Sequence, residues 1–333
     1  MRIGLAGVGR IGAFHAETLH GLPAVDSLVI ADMDPTRAKS VGGRLGVESV
    51  DTPDALFRAG IDALVIAAAT DAHAPLILAA VEAGLPTFCE KPVAPDVKGT
   101  RAVLDTVADS DVPVHVGFQR RFDAGYMAAR AAVQSGELGW VHTLRAGTLD
   151  PAPPPAEYIA ASGGFFRDCS VHDFDILRWV TGREVVEVYA VGANHGAAFF
   201  AEYGDVDAAS ALLTYDDSSF AHVAGTRYNA RGYDVRLEVL GSEDSVSVGL
   251  DDRLPLRSVE PGVTFPGGVP YPVFMERFLP AYVAELTAFI EVAAGQRPSP
   301  CTVADALETF YVAEACELSR KEHRPVLVDE VRR

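Results

Sequence analysis

The sequence predicts an α/β protein that begins with a doubly wound parallel sheet and continues into a second, mainly antiparallel part. Over the first 118 residues, apolar strand-like runs alternate with helical stretches, as they do in parallel sheets. Beyond residue 118, strand-like runs alternate apolar and polar residues, a pattern typical of antiparallel strands with one exposed face. The chain of 333 residues is long enough for two domains, each with its own core.

In the first part, each strand is justified by an apolar run that ends at a turn signal. Ala63–Ala69 is apolar throughout, as a parallel strand covered on both faces should be. Pro75 suits the first turn of the helix that follows, and Gly84 suits its end. The predicted strands are Arg2–Ala6, Val25–Ala31, Ala63–Ala69, Thr87–Cys89 and Val114–Phe118, and the predicted helices are Gly12 to about His20, Pro35–Leu45, Pro75 to Gly84 and Val97–Val107.

In the second part, Tyr233–Leu240 gives the clearest strand signal. Apolar Tyr233, Val235, Leu237 and Val239 alternate there with Asp234, Arg236 and Glu238, so one face is apolar and the other polar. The predicted strands are Val185–Val191, Ala208–Tyr215, Phe220–Tyr228 and Tyr233–Leu240, followed by helices at about Glu276–Ala294 and Val303–Arg320.

Composition excludes several classes of protein. The net charge of −18 repels phosphate backbones and anionic lipid, so we expect neither nucleic acid nor a membrane as a partner. The apolar residues, 49% of the chain, form no run long enough to cross a bilayer. Four cysteines show no metal-ligand spacing, so we expect no structural zinc and no other metal. Together with a first strand that begins at Arg2, these features indicate a cytoplasmic protein.

The turn Gly7-Val-Gly9-Arg10-Ile11-Gly12 matches the pattern G-x-G-x-x-G between a predicted strand and a predicted helix. Gly7 permits a tight turn, Gly9 lets the backbone approach a pyrophosphate, and Gly12 lets the helix pack closely on the strand. Backbone N–H groups and the helix dipole then favour the anion. In this context the motif predicts a dinucleotide-binding Rossmann domain.

Asp32 lies 20 residues after Gly12, at the end of the second predicted strand. A carboxylate there accepts a hydrogen bond from a ribose 2′-hydroxyl and repels a 2′-phosphate, so the sequence favours NAD over NADP. Arg37 and Lys39 are close enough in sequence to weaken that preference. The alternative is that Asp32 only caps the next helix, which Asp34 can do equally well.

Thr70 and His73 follow the buried strand Ala63–Ala69, at the edge of the sheet where ligands of parallel sheets bind. We expect this segment to face the cofactor. Helix capping by Thr70 or Asp71 is an equal alternative, and the two roles are compatible.

Two further segments supply groups for proton transfer. Lys91, in Glu90-Lys91-Pro92, follows the strand Thr87–Cys89, so its ammonium can stabilise an oxygen that becomes negative. Asp168 and His172 are four residues apart, which on a helix places them on one face. A neutral imidazole can accept the proton of an alcohol, and the carboxylate can orient it or bind hydroxyls. The alternatives are a helix cap and a surface histidine.

These motifs, with Gly117-Phe-Gln-Arg-Arg-Phe-Asp123 and Gly163-Gly-Phe-Phe-Arg-Asp-Cys-Ser-Val-His-Asp-Phe-Asp175, resemble the Gfo/Idh/MocA oxidoreductase family, and most closely its inositol 2-dehydrogenase branch. The resemblance implies a dinucleotide-binding Rossmann domain at residues 1–118 and a substrate-binding and oligomerisation domain at residues 119–333. The second domain would be α/β with a large open sheet, and the family commonly forms tetramers.

The resemblance also assigns residues. It gives catalytic roles to Lys91, Asp168 and His172, with the histidine as acid/base, and it places Glu90 and Lys91 beside the cofactor. Its substrate-binding set in this sequence is Gln119, Arg120, Arg121, Asp150, Asp168, His172 and Tyr233. Thr148 stands where the family has a more polar stretch, so the resemblance leaves the identity of the substrate open.

The sequence therefore predicts an NAD-dependent dehydrogenase that oxidises a secondary hydroxyl of a cyclitol or sugar, such as myo-inositol, as a homo-oligomer. Three alternatives remain. One is a dehydrogenase of another sugar or an anhydrosugar. Another is an NAD-dependent glycosidase, which oxidises its sugar transiently. The last is a non-catalytic dinucleotide-binding sensor, which would have no need of a proton acceptor.

Overall fold

The computed structural model describes residues 1–332 and divides the chain into two compact units. Unit 1 contains Met1–Phe118 and Tyr282–Leu307, and unit 2 contains Gln119–Ala281 and Glu308–Arg333. The first boundary coincides with the expected one at residue 118. The segment Tyr282–Leu307, which the sequence pattern grouped with the second part, belongs to unit 1 instead, because its apolar side chains complete the core of that unit.

Unit 1 is built on a six-stranded parallel sheet in the order β3-β2-β1-β4-β5-β6. The strands are β1 (Arg2–Ala6), β2 (Ser27–Ala31), β3 (Glu48–Val50), β4 (Ala63–Ile66), β5 (Thr87–Glu90) and β6 (Val114–Gly117). The helices are α1 (Arg10–Gly21), α2 (Pro35–Leu45), α3 (Pro53–Leu56), α4 (Thr70–Glu82) and α5 (Val97–Ala108). This is the predicted doubly wound sheet.

The register of the sheet brings the sequence motifs to one edge. Ala6, the last residue of β1, pairs with Ala31 of β2 and with Ile66 of β4. The Gly-rich turn, Asp32, the turn before Thr70, and Lys91 therefore follow four neighbouring strands at their carboxyl ends. In open parallel sheets this edge is where ligands bind.

The core of unit 1 contains side chains from the sheet and from the distant segment Tyr282–Leu307. Ile3, Leu5 and Val65 are fully buried, and Leu286 and Phe289 of helix α10 (Phe274–Ala293) pack into the same cluster. The apolar face of that helix thus covers the sheet, which explains why a segment far along the chain joins this unit.

Unit 2 is built on a seven-stranded mixed sheet in the order β12-β11-β7-β10-β9-β8-β13, in which only the pair β7–β10 is parallel. The strands are β7 (Val141–Leu149), β8 (Val185–Ala193), β9 (Ala208–Tyr215), β10 (Phe220–Thr226), β11 (Asp234–Gly241), β12 (Ser245–Val248) and β13 (Val326–Leu327). The helices are α6 (Ala124–Ser135), α7 (Ala156–Ala161), α8 (Val171–Thr181), α9 (Phe199–Glu202), α10 (Phe274–Ala293, shared with unit 1) and α11 (Val303–Glu322, which also spans the boundary).

The mainly antiparallel second sheet confirms the prediction, but its interior strand β7, between β11 and β10, was not predicted. β7 reads Val-His-Thr-Leu-Arg-Ala-Gly-Thr-Leu, and its apolar residues do not alternate regularly. Small residues at its centre, Ala146 and Gly147, suit a strand with neighbours on both sides, where a Cβ at position 147 would lie 2.8 Å from the Ala224 carbonyl oxygen. Tertiary packing, which a local pattern does not reveal, therefore decides this strand.

Within residues 1–332, no helix combines the length and the apolar character that a membrane span requires.

Candidate functional site

The Gly-rich turn has the geometry that its glycines predict. Gly7 has a φ of +90°, and a Cβ on it would lie 2.5 Å from Ala68 Cα. A Cβ on Gly12 would lie 2.0 Å from the carbonyl oxygen of Gly7, so the start of α1 can approach the turn only without a side chain. These two glycines are therefore required by the protein's own packing.

Gly9 is different, because nothing in the protein itself requires a glycine there. Its φ of −66° is accessible to any residue, and a Cβ on it would meet no atom of residues 1–332 within 4 Å. Gly9 is also the N-cap of α1, and no side chain from residues 1–332 caps that helix. Open space at an uncapped helix N-terminus fits the pyrophosphate of a dinucleotide, which the backbone of Arg10, Ile11 and Gly12 would then face.

Asp32 is buried at the end of β2, and its carboxylate is held in place from three directions. The Val8 backbone N–H donates to Oδ2 at 2.8 Å, and the Asp34 backbone N–H donates to Oδ1 at 2.9 Å. Arg37 Nη1 lies 3.1 Å from the same Oδ1. Asp32 thus braces the Gly-rich turn. Capping of α2 falls to Asp34, which accepts from the Thr36 backbone N–H at 3.0 Å.

His73 is buried in the first turn of α4, and both of its ring nitrogens face backbone carbonyls. Nδ1 lies 2.7 Å from the Pro92 oxygen, and Nε2 lies 3.1 Å from the Ala68 oxygen. α4 begins at Thr70 with Ala69 as its N-cap, and within residues 1–332 no side chain caps it, so neither Thr70 nor Asp71 does. His73 therefore connects the end of β4 to the peptide that follows Lys91. A direct role for it or for Thr70 in cofactor binding stays a prediction.

Glu90, Lys91 and Pro92 form the end of β5 and the turn that follows it. The Lys91–Pro92 peptide bond is cis. Glu90 Oε1 lies 2.6 Å from Nε2 of His15, a fully buried residue of α1. His15 stands in no motif of the sequence, and nothing in its local pattern distinguishes it. Glu90 thus anchors the segment to the dinucleotide helix.

In unit 2, Asp168 and His172 lie on consecutive helical segments. Asp168 belongs to a π-helical turn, Phe166–Ser170, and His172 lies in the first turn of α8, which continues from it. A π-helical turn has more residues per turn than an α-helix and is common at functional sites. The two residues are therefore neighbours in the fold, although the expected regular α-helix between them is absent.

The carboxylate of Asp168 is engaged by two donors. Tyr158 of α7 donates its hydroxyl to Oδ1 at 2.7 Å, and Arg227 donates from Nη2 to Oδ2 at 2.6 Å. The other terminal nitrogen of Arg227, Nη1, donates to Asp150 Oδ2 at 2.8 Å. Sequence reasoning missed Arg227, although its position directly after a strand that neighbours β7 places it beside Asp150.

Partial or full burial shifts the pKa values of two proposed substrate-binding residues, Asp150 and Tyr233. Burial raises the pKa of Asp150 above its ordinary value, and the neighbouring Arg227 guanidinium counteracts part of that rise. Burial also raises the pKa of Tyr233, which lies close enough to Arg120 and Asp150 to interact with both electrostatically. The Tyr233 phenol therefore remains protonated at neutral pH and can donate a hydrogen bond.

Arg120 and Arg121 are both committed to buried carboxylates. Arg120 donates from Nη1 to Asp173 at 2.6 Å and from Nη2 to the Thr148 hydroxyl at 2.7 Å. Arg121 makes a two-point ion pair with Asp175. Gln119 is buried beside them in the same 3₁₀ turn. Contact of these three side chains with a substrate stays a prediction, whereas their structural contacts are clear.

Other chemistry is not indicated within residues 1–332. No group of three or more His, Cys, Asp or Glu side chains is arranged to hold a metal ion. The four cysteines, Cys89, Cys169, Cys301 and Cys316, are free and buried. Burial raises the pKa of Cys169, which disfavours the thiolate form of this thiol next to Asp168.

Comparison with protein families gives two matches that together cover most of the chain. Residues 1–118 match a model described as an oxidoreductase family with an NAD-binding Rossmann fold, and residues 126–247 match the GFO/IDH/MocA C-terminal domain. Among curated relatives, myo-inositol dehydrogenase Hyg17 of Streptomyces leeuwenhoekii is 38% identical, over 96% of this chain and 97% of that protein. Inositol 2-dehydrogenase of Rhizobium meliloti is 36% identical, over 98% and 99%.

Solved structures give a consistent result. The chain superposes with a TM-score of 0.87 on scyllo-inositol dehydrogenase of Lactobacillus casei, solved with bound NAD(H) and scyllo-inositol, at 28% identity. That match covers 99% of each chain. Similarity in sequence and in fold thus extends over both units.

Proposed function

Since the chain belongs to the Gfo/Idh/MocA family of NAD-binding oxidoreductases, we propose that it oxidises a secondary hydroxyl of a cyclitol with NAD, as an inositol 2-dehydrogenase does. The observation that carries the proposal is a hydrogen-bonded network in unit 2 around the buried guanidinium of Arg227. Asp150, Asp168, Arg227 and the Tyr158 hydroxyl gather hydrogen-bonding groups of both kinds within one network. A ring with a hydroxyl on each carbon needs such a set.

NAD fits the edge of the sheet in unit 1. Gly7, Gly9 and Gly12 with the backbone of Arg10 and Ile11 would hold the pyrophosphate, and Asp32 would accept a hydrogen bond from a ribose hydroxyl. Arg37 is half exposed and paired with Asp32, and its positive charge would allow some binding of NADP. The nicotinamide of bound NAD supplies the hydride acceptor. Thr70, His73, Glu90 and Lys91 complete the proposed cofactor set.

The remaining steps fall to three side chains of the protein. Oxidation of an alcohol releases a proton, and we assign its uptake to the imidazole of His172. Lys91 stabilises the substrate oxygen as that oxygen loses its proton. Asp168, next to His172 in the fold, binds a neighbouring hydroxyl and fixes the ring. Asp150 and Tyr233 bind further hydroxyls, and Gln119, Arg120 and Arg121 support this wall of the cluster from the adjoining turn.

Unit 1 thus serves as the dinucleotide-binding domain, and unit 2 serves for substrate binding and for assembly. We propose a homo-oligomer, a tetramer or a dimer, because the exposed face of the second sheet is rich in apolar side chains. Tyr189, Val191, Leu212 and Phe220 lie on three adjacent strands, and each is more than 40% exposed. Four free cysteines are consistent with a reducing, cytoplasmic location.

The test measures NADH formation with myo-inositol, scyllo-inositol, other cyclitols, aldoses and anhydrosugars, each with NAD and with NADP. We expect turnover with a cyclitol and NAD. Lys91→Met and His172→Asn should each lower kcat by about 10²- to 10⁴-fold while NADH still binds, measured by fluorescence. Lys98→Met and His20→Asn, at exposed positions, are the matched controls.

Three results would contradict this proposal. Near-normal kcat in Lys91→Met or His172→Asn would remove the assigned roles. Release of a leaving group from a glycoside without net NADH would indicate a glycosidase. NAD binding without turnover on any polyol would indicate a sensor.

A further inference from the structure

We infer that Arg227 is a positioning residue of the polyol site, whose guanidinium holds Asp150 and Asp168 together as ionised acceptors for substrate hydroxyls. The inference rests on the proposed function, because it assigns the two carboxylates to a polyol. It adds a residue that neither the motifs nor the family resemblance contains.

The fold places Arg227 beside Asp150 through the one parallel pair of the second sheet. In the register of β7 and β10, Leu149 pairs with Thr226. Asp150 directly follows β7 and Arg227 directly follows β10, so both residues lie at the same end of the sheet. The Asp150 backbone N–H donates to the Thr226 carbonyl oxygen at 2.8 Å, which continues the pairing to this point.

Arg227 then joins this sheet end to the π-helical turn and, through Asp168, to α7. One terminal nitrogen donates to Asp150 at 2.8 Å, and the other donates to Asp168 in the π-helical turn at 2.6 Å. The remaining oxygen of Asp168 accepts from Tyr158 of α7. Arg227 is only 4% exposed, so its geometry is fixed by packing, including a guanidinium 5.2 Å from the centre of the Phe165 ring.

The electrostatic consequence is specific. Without a cation between them, two neighbouring and partly buried carboxylates repel, which favours uptake of a proton by one of them. A protonated carboxyl donates one hydrogen bond and loses acceptor capacity, which would change the pattern that a polyol meets. Arg227 therefore preserves two acceptors. The charged and titratable groups facing this cluster are Tyr158, Cys169, Asp173, Arg120, Tyr233 and Asp205.

The same arrangement disfavours acidic substrates. The two carboxylates and one guanidinium carry a net formal charge of −1, and a sugar acid or sugar phosphate would add a second negative charge beside them. The site therefore suits a neutral polyol. This deepens the proposed function by excluding acidic sugars from the substrate class.

The experiment compares Arg227→Met and Arg227→Lys with the wild-type protein. Arg178→Met is the matched control, because Arg178, in the last turn of α8 at the opposite end of that helix from His172, is also buried and makes a two-point ion pair with Glu184. We expect Arg227→Met to raise the KM for the polyol about tenfold to a hundredfold with unchanged NADH binding. The acid limb of kcat/KM should move to higher pH by about one unit or more. Arg227→Lys should return the acid limb of kcat/KM to its wild-type pH but should reverse only part of the rise in KM.

A second readout needs no turnover. In Arg227→Met we expect the pKa values of both carboxyls in the folded protein to rise above their values in the unfolded chain. A carboxyl with such a raised pKa favours the folded state at low pH, where it is protonated, and this contribution is lost as the pH rises through the folded-state pKa. The difference in Tm between wild type and Arg227→Met should therefore grow from about pH 5 to about pH 8, and that for Arg178→Met should not.

A wild-type KM and an unmoved acid limb in Arg227→Met would overturn the inference. A raised KM and a shifted acid limb in Arg178→Met would also overturn it. If the wild-type protein oxidises no polyol at all, the proposed function fails. In that case a Tm difference that is independent of pH overturns the electrostatic role of Arg227 as well, whereas one that grows with pH supports it.

Discussion

His15 Nε2 lies 2.6 Å from Oε1 of Glu90, the residue that precedes Lys91. His15 belongs to α1, the helix that begins at the Gly-rich turn, and its ring packs edge-on against Phe88 of β5 at 5.7 Å between ring centres. On the other side of Lys91, the Pro92 carbonyl oxygen contacts His73. Two buried imidazoles therefore contact the residues on either side of Lys91: His15 holds the side chain of Glu90, and His73 holds the backbone carbonyl of Pro92.

We expect His15→Leu to lower kcat about tenfold and the free energy of unfolding by about 1.5–3 kcal/mol, because Glu90 loses a buried hydrogen bond and Lys91 loses its anchor. His15→Gln keeps a donor and should recover part of both. Steady-state kinetics and thermal unfolding measure the two effects, with His20→Gln, exposed on the same helix, as the control. An unchanged kcat in a folded His15→Leu protein would show that the anchor does not matter for turnover.

Substitutions of glycines in the Gly-rich turn can distinguish an effect on NAD binding from an effect on folding. We expect Gly9→Ala to keep the wild-type Tm, because its Cβ meets no protein atom within residues 1–332, and yet to weaken NAD binding about tenfold or more. Gly12→Ala should lower the Tm and weaken NAD binding, because its Cβ would collide with the Gly7 carbonyl oxygen. Calorimetric titration with NAD and thermal unfolding test both variants.

Gly43→Ala is the control for these substitutions. Gly43 lies within α2, and a Cβ there meets nothing in the described part of the chain. Alanine should stabilise the helix by up to about 1 kcal/mol and leave NAD affinity unchanged. If Gly9→Ala behaves like Gly43→Ala, the dinucleotide does not bind at this turn.

Asp32 has two functions that one substitution tests together. We expect Asp32→Ser to raise the ratio of kcat/KM for NADP to that for NAD at least about tenfold, because it removes the charge that repels a 2′-phosphate. It should also lower the Tm, because the Val8 backbone N–H loses its acceptor. Asp34→Ser, a change of helix cap two residues away, should leave the ratio of cofactors unchanged. If the ratio of kcat/KM for NADP to that for NAD is the same in Asp32→Ser as in the wild type, the assigned role of Asp32 is refuted.

The sequence predicted the first sheet and its glycine turn well, because both depend on local patterns: buried apolar runs and glycines at fixed spacing. It predicted less of the second cluster. Arg120 and Arg121 stand in a recognisable motif, but their carboxylate partners, Asp173 and Asp175, lie more than 50 residues away in the chain. Arg227 stands in no motif, and only the parallel pairing of β7 with β10 reveals its partner. Such long-range pairs depend on register, which a single sequence does not determine.

The exposed face of the second sheet provides the last prediction. In register, Tyr189 of β8 pairs with Leu212 of β9, and Leu212 pairs with His222 of β10. Their side chains share one face, while the alternate residues Val188, Leu213 and Ala221 are buried on the other. An apolar patch of this kind on a sheet is costly to leave in water, so a second copy of the chain should cover it.

We therefore expect Leu212→Lys to reduce the mass in light scattering from that of an oligomer to that of a single chain, because the lysine places an uncompensated charge at the centre of the interface. Leu256→Lys is the control, since Leu256 is similarly exposed but lies in a loop outside the sheet. A wild-type protein that is monomeric at all concentrations would contradict the assignment of this face. An oligomer that persists in Leu212→Lys would place the interface elsewhere, and the apolar face would then need another explanation.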